Sequence, residues 1–129
     1  MFKRFLVNRK PGYVAGEWAA LDEVLDWIHR AGGMAVIAHP ARYHMTATKL
    51  GRLLREFRDA GGLGMEVVSG SHTPDNVRHM SVLCRREQLL ASCGSDYHGP
   101  ENPWVRLGEL PALPDGCLPV WESEHWPVQ

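Results

Sequence analysis

Residues 89–100 read LLASCGSDYHGP, and the way this stretch ends decides what the chain can be. Leu89 to Cys93 form a short apolar run, the pattern of a parallel strand covered on both faces. The run stops on Gly94-Ser95-Asp96-Tyr97-His98. A carboxylate and an imidazole at a buried strand end are costly unless something binds them. Gly94 is expected to allow a tight turn, and Gly99-Pro100 to end the segment. In extended chain, positions i and i+2 point the same way, so Asp96 and His98 are expected to grip one centre.

Two earlier runs behave alike. MAVIA, residues 34–38, stops at His39-Pro40, and GMEVVS, residues 64–69, stops at Gly70-Ser71-His72. Helical periods separate the runs. Trp18, Leu21, Leu25 and Ile28 recur at three- and four-residue steps, with Gly32-Gly33 as the expected C-cap. From about Thr48, Leu50, Leu53, Leu54 and Phe57 share one side, closing at Gly61-Gly62. Thr73 and Pro74 suit an N-cap and a first helical position, opening a helix over Val77, Met80 and Cys84 to about Glu87. Helix then strand, three times over, implies an α/β fold with about three parallel strands and right-handed crossovers. Residues 1–17 read as irregular, 18–99 as the β/α core, and 100–129 as a Pro- and Trp-rich tail packed over the surface.

In parallel α/β folds the carboxyl ends of the strands share one face, where sites are built from successive loops. His39, His72, Asp96 and His98 are therefore expected to converge. A mixed His/Asp donor set suits manganese, zinc or iron(II) better than magnesium or calcium. Such an ion lowers the pKa of a bound water and stabilises charge on a phosphoryl oxygen. Glu66 sits inside an apolar strand, where an unpaired carboxylate is expensive; it either supports a ligand or is a satisfied structural group. Arg42 and Tyr43 are placed to touch an anionic substrate, or else lie in a surface loop. His29, His44, His79 and His125 have no such placement.

Composition narrows the rest. The chain has 129 residues, 44% hydrophobic and 22% charged, which suits one soluble domain. No apolar run approaches the ~20 residues of a membrane span, and the start lacks the features of a signal peptide, so a cytoplasmic location is expected. A formal net charge of −1 gives no general attraction to nucleic acid, and no DNA-binding motif is present. Cys84, Cys93 and Cys117 are spaced like neither a zinc ribbon nor a redox CxxC, and read as buried free thiols.

AVIAHPARY (35–43), GMEVVSGSHTP (64–74) and ASCGSDYHGP (91–100) together resemble the later motifs of the PHP (polymerase and histidinol phosphatase) family of metal-dependent phosphoesterases. KPGYV (10–14), LPALPD (110–115) and LPVW (118–121) extend the likeness to the branch of 3′,5′-nucleotide bisphosphate phosphatases and 5′→3′ exoribonucleases. The resemblance implies the C-terminal part of a distorted (β/α)7 barrel. It implies His39, Asp96 and His98 as ligands of a multinuclear, usually manganese-type, site, with Asp96 and His98 acting through metal-bound water. Arg42 and His72 become candidates for substrate phosphate contact, and Glu66 for a supporting role. Substrates would be small nucleotides carrying two phosphates, or the 5′ end of RNA.

One departure stands out: family members begin with an HxH motif on their first strand, and no HxH occurs here. The chain thus resembles the carboxy-terminal half of the family. Three strands cannot close a barrel, and three side chains hold an ion weakly. Marginal activity is expected of such a chain alone, unless an amino-terminal half complements it in trans. The rival reading is a non-catalytic fragment that binds a metal or a nucleotide.

Overall fold

The computed structural model describes residues 16–100 and 106–126. Helices α1 (Leu21–Arg30), α2 (Ala47–Asp59) and α3 (Pro74–Arg86) alternate with strands β1 (Val36–Ile37), β2 (Gly64–Ser69) and β3 (Leu90–Gly94). Single 3₁₀ turns occupy Pro40–Arg42 and Val120–Glu122. The strands form one parallel sheet in the order β1-β2-β3. The α/β expectation is met, as an open sheet among the described residues.

Local chemistry sets the helix ends. Thr46 caps α2 by accepting a bond from the Lys49 amide, and Thr73 caps α3 through the Asn76 amide. Helix α2 therefore starts just before the expected Thr48. All three helices close with an amide reaching back five residues: Gly33 to Ile28, Gly62 to Phe57, Leu89 to Cys84. The residue before each amide is left-handed, at Gly32 (φ 74), Gly61 (φ 98) and Gln88 (φ 56).

Helix α1 departs from expectation at its start. Trp18 is 93% exposed and lies outside the helix, whose first turn is set by the Glu23 carboxylate accepting from the Ala20 amide at 3.1 Å. The apolar period was right, but only Leu25 is fully buried there. A link to the rest of the fold is His29, whose Nε2 donates to the Gly61 carbonyl at 3.0 Å.

Burial grades across the sheet. Every residue of β2 is buried, because β2 lies between two strands with helices against it. Leu54, Met65, Val67, Val68, Leu83 and Cys84 make the densest part of the core; each large aliphatic chain so buried contributes about 1.5–3 kcal/mol. β1, expected over 34–38 and covered on both faces, is only two residues long, and Val36 is 38% exposed. It is an edge strand. At the other edge the tail supplies cover: the Ala91 amide donates to the Leu118 carbonyl at 2.8 Å, and Val120 is buried. No helix among the described residues is long and apolar enough to cross a membrane.

Candidate active site at the strand carboxyl ends

Pairing between β2 and β3 is regular up to Glu66↔Ser92, then skips Val67 and resumes at Val68↔Cys93. This bulge, a device common beside functional sites, falls next to the one acidic residue of β2. Glu66 is 9% exposed. Its Oε2 accepts a bond from the His39 amide at 2.6 Å. Its Oε1 lies where a side chain on Gly94 would be, 2.6 Å from the position of a Cβ. Gly94 is thus needed for close approach. The left-handed conformation in this stretch falls instead on Asp96, at φ 54. Burial pushes the Glu66 carboxyl above its ordinary value. The His39 amide and the charges of His39 and His72 pull the other way, and Asp96 adds to the rise.

His39 is held through its backbone, and His72 through its backbone and one ring nitrogen. His39 follows β1 in a left-handed conformation (φ 32, ψ 54), which costs energy for a non-glycine residue and is fixed by the bond to Glu66. Its ring meets Tyr43 edge to face at 6.3 Å, and its Nδ1 is buried without a partner among the described residues. His72 Nδ1 donates to the carbonyl of Val67, the bulged residue, at 3.0 Å. A carbonyl only accepts, so Nδ1 carries the proton and Nε2 of the neutral ring offers a lone pair. That Nε2 is also buried without a partner. Such orphaned nitrogens are rare enough to require an explanation.

Asp96 and His98 do not grip a centre in the expected manner. The left-handed Asp96 breaks the extended geometry on which that expectation rested. His98 Nδ1 donates to the Asp96 carbonyl at 2.7 Å and lies 3.6 Å from its Oδ1, while the His98 side chain is 71% exposed. The Asp96 carboxylate is instead closed by Arg42, whose Nη1 donates to Oδ2 at 2.7 Å. Sequence reasoning placed Arg42 toward substrate and did not foresee this pairing across the loops. Nor did it foresee Cys93, whose thiol is raised by burial and by Glu66. Tyr43 is raised by the same two causes.

The donor chemistry fits a divalent ion: two orphaned imidazole nitrogens and a desolvated carboxylate stand at one end of the sheet. The donor count does not complete a shell. Among the described residues no group of three His, Cys, Asp or Glu side chains has metal-site geometry.

Known proteins share both the fold and much of the sequence. The fold superposes with a TM-score of 0.80 on an amidohydrolase from Chromobacterium violaceum solved with bound sulfate and no metal, at 47% identity over 93% of this chain and 41% of that one. A candidate metal-dependent phosphoesterase from Bifidobacterium adolescentis gives 0.62, at 27% identity over 80% of this chain and 36% of that one. In sequence, the chain is 46% identical to a 3′,5′-nucleoside bisphosphate phosphatase of Chromobacterium violaceum, over 95% of its own length. It is 40% identical to the 5′-3′ exoribonuclease Rnm of Escherichia coli, over 98%. It spans 43% of each of these two relatives. No family model matches.

Proposed function

We propose that this chain carries part of the site of a PHP-type, divalent-metal-dependent phosphoesterase acting on nucleotide phosphate esters. The substrates would be a 3′,5′-nucleotide bisphosphate or the 5′ end of RNA, and its strands part of a distorted (β/α)7 barrel. The observation that carries the reading is the pair of buried, unpartnered imidazole nitrogens, His39 Nδ1 and His72 Nε2, at the strand ends of a sheet shared with hydrolases. The phosphatase and exoribonuclease names of the relatives supply the substrate class.

In this reading His39, Asp96 and His98 hold the ion, most suitably manganese, with zinc or iron(II) as alternatives. Further donors come from outside the described residues. The ion supplies Lewis acidity and an activated water. The chain's own residues do the rest. Glu66 holds the His39 backbone so that its ring keeps one orientation. The Val67 carbonyl orients the His72 ring through Nδ1, so that in the imidazolium form Nε2–H donates to a phosphate oxygen. Arg42 neutralises Asp96 and turns to the substrate phosphate when Asp96 is taken up by a cation; guanidinium geometry suits either anion.

The test is manganese binding and phosphate release from a 3′,5′-bisphosphate nucleotide, measured on the purified chain and on Asp96→Asn. Metal-dependent release lost in the variant supports the reading. A second reading, a metal- or nucleotide-binding piece without catalysis, is favoured by the incomplete donor shell. Manganese binding that Asp96→Asn weakens, with no phosphate release, would select it. Manganese affinity unchanged by Asp96→Asn would sink the ligand assignment in both.

A further inference from the structure

Away from the strand carboxyl ends, two of the three cysteines lie together. Cys84 is on α3, fully buried, and its thiol donates to the Leu89 carbonyl at 3.0 Å. Cys117 comes from the tail and is half-buried. Its sulfur rests over the same helix, 4.0 Å from the Ser81 carbonyl, one turn before Cys84. Ser81 and Cys84 share one face of the helix, so the Cys117 sulfur lies beside Cys84 and helps raise its thiol. They are 33 positions apart in the chain, from 117 − 84. Their meeting is therefore a product of the fold.

The surroundings differ at the two sulfurs. Arg85 Nη1 lies 3.9 Å from Cys117 Sγ, a cation where a thiolate would form. A cavity of about 320 Å³, lined by Arg85, Gln88, Leu89 and Cys117 among others, opens onto that sulfur. Cys84 has neither solvent nor cavity, and burial with the Cys117 contact pushes its thiol up to about 12. One thiol can be reached beside an arginine, while the other waits behind it, closed to solvent.

We propose that Cys84 and Cys117 form a redox clasp, joined by a peroxide into a disulfide that fastens the tail to α3. The chemistry balances in two steps. The Cys117 thiolate attacks one oxygen of the peroxide, the O–O bond breaks, and hydroxide leaves and takes a proton from solvent. The resulting sulfenic acid is attacked by the Cys84 sulfur, the S–O bond breaks, and water leaves with the Cys84 proton. Two thiols lose two electrons, and hydrogen peroxide becomes two waters. The bond would hold the Leu118–Val120 segment, and hence the cover over the β3 edge, against α3.

The folded chain is treated with hydrogen peroxide, denatured, alkylated with N-ethylmaleimide, and read by intact and tryptic mass spectrometry. The expected product is two hydrogens lighter, alkylated once, at Cys93, with a Cys84–Cys117 linked peptide. Cys84→Ser should stop the reaction at a sulfenic acid on Cys117 that dimedone labels. Cys117→Ser, at a half-buried position, should fold and leave Cys84 and Cys93 both alkylated. Oxidised wild type should melt several degrees above reduced wild type, a gap absent in Cys117→Ser. Alkylation of both Cys84 and Cys117 after peroxide would overturn the clasp. So would Cys117 sulfinic acid without a link, or linkage only between molecules. The wild-type mass result decides the matter even if Cys84→Ser fails to fold.

Discussion

Among the described residues two carboxylates are buried, one at each end of the sheet, and they are treated in opposite ways. Glu87, just before β3, is 3% exposed and fully served. Its Oε1 accepts from Arg55 Nη1 at 3.1 Å and from Arg86 Nε at 2.8 Å, while Arg58 donates to its carbonyl at 3.2 Å. These cations also offset the unfavourable placement of an acid at the carboxyl end of α3. Glu66, at the other end, is nearly as buried but among the described residues receives one hydrogen bond, from the His39 amide. Its carboxyl is pushed up, and unpartnered imidazole nitrogens stand at the same end. An acid braced by arginines marks construction; a raised one beside orphaned imidazole nitrogens marks a place kept for chemistry. Sequence alone singles out Glu66, inside an apolar strand, and passes over Glu87 at a helix end.

The contrast can be broken most forcefully at Glu87. Replacing it by alanine should cost about 2–3 kcal/mol, since hydrogen bonds to a charged group are lost at a buried position. The figure stays moderate because Arg55 and Arg86 are about half exposed and can turn to water. Urea unfolding measures it, and a loss below about 0.5 kcal/mol would show that Glu87 holds nothing. Gly94→Ala should cost less, about 1–2 kcal/mol, because the new methyl meets only the movable end of Glu66. Its mark should be on the site: amide spectra should shift at His39, and their silence would count against the Glu66 anchor.

Glu66→Gln sharpens the comparison through pH. The Glu66 carboxyl is raised in the folded chain. Its contribution to stability is thus complete below the ordinary carboxylate range and falls away as pH rises through the folded value. Glutamine keeps an acceptor for the His39 amide and carries no charge. In EDTA the melting temperature of the variant should therefore gain on wild type from about pH 4 to about pH 7. A constant gap would mean that Glu66 ionises at no cost. The smallest effect is expected at Trp18→Ala, within about 0.5 kcal/mol, because that side chain is 93% exposed.

Trp18 also shows where sequence reading stops. Its spacing to Leu21 and Leu25 fits a helix, yet periodicity counts positions and knows nothing of a partner face. The three helices and three strands were otherwise readable, since the Thr73 cap, glycine stops and short apolar runs are local signals; the Thr46 cap, two residues before the expected start of α2, was missed. The strand ends were readable as a shared place because parallel topology puts them there. Their wiring was not. That Arg42 closes on Asp96 follows from two loop conformations, one with Asp96 at φ 54. That Gly94 makes room for Glu66 depends on register between β2 and β3, which no local pattern encodes. Glu87 drew no attention as a buried group because its arginines sit at 55, 58 and 86.

The bulge at Val67 is a shift of reading frame written into space. Before it, β2 and β3 count residues together; after it, β2 is one residue ahead. Strand side chains alternate, so one residue fewer at this point would turn Val68 and Ser69 inside out and carry the loop to His72 with them. The Val67 carbonyl that anchors His72 exists in that position only because of the surplus residue. Single-residue length changes here should thus be less tolerated than most side-chain exchanges nearby. In this strand, spelling is negotiable and length is grammar.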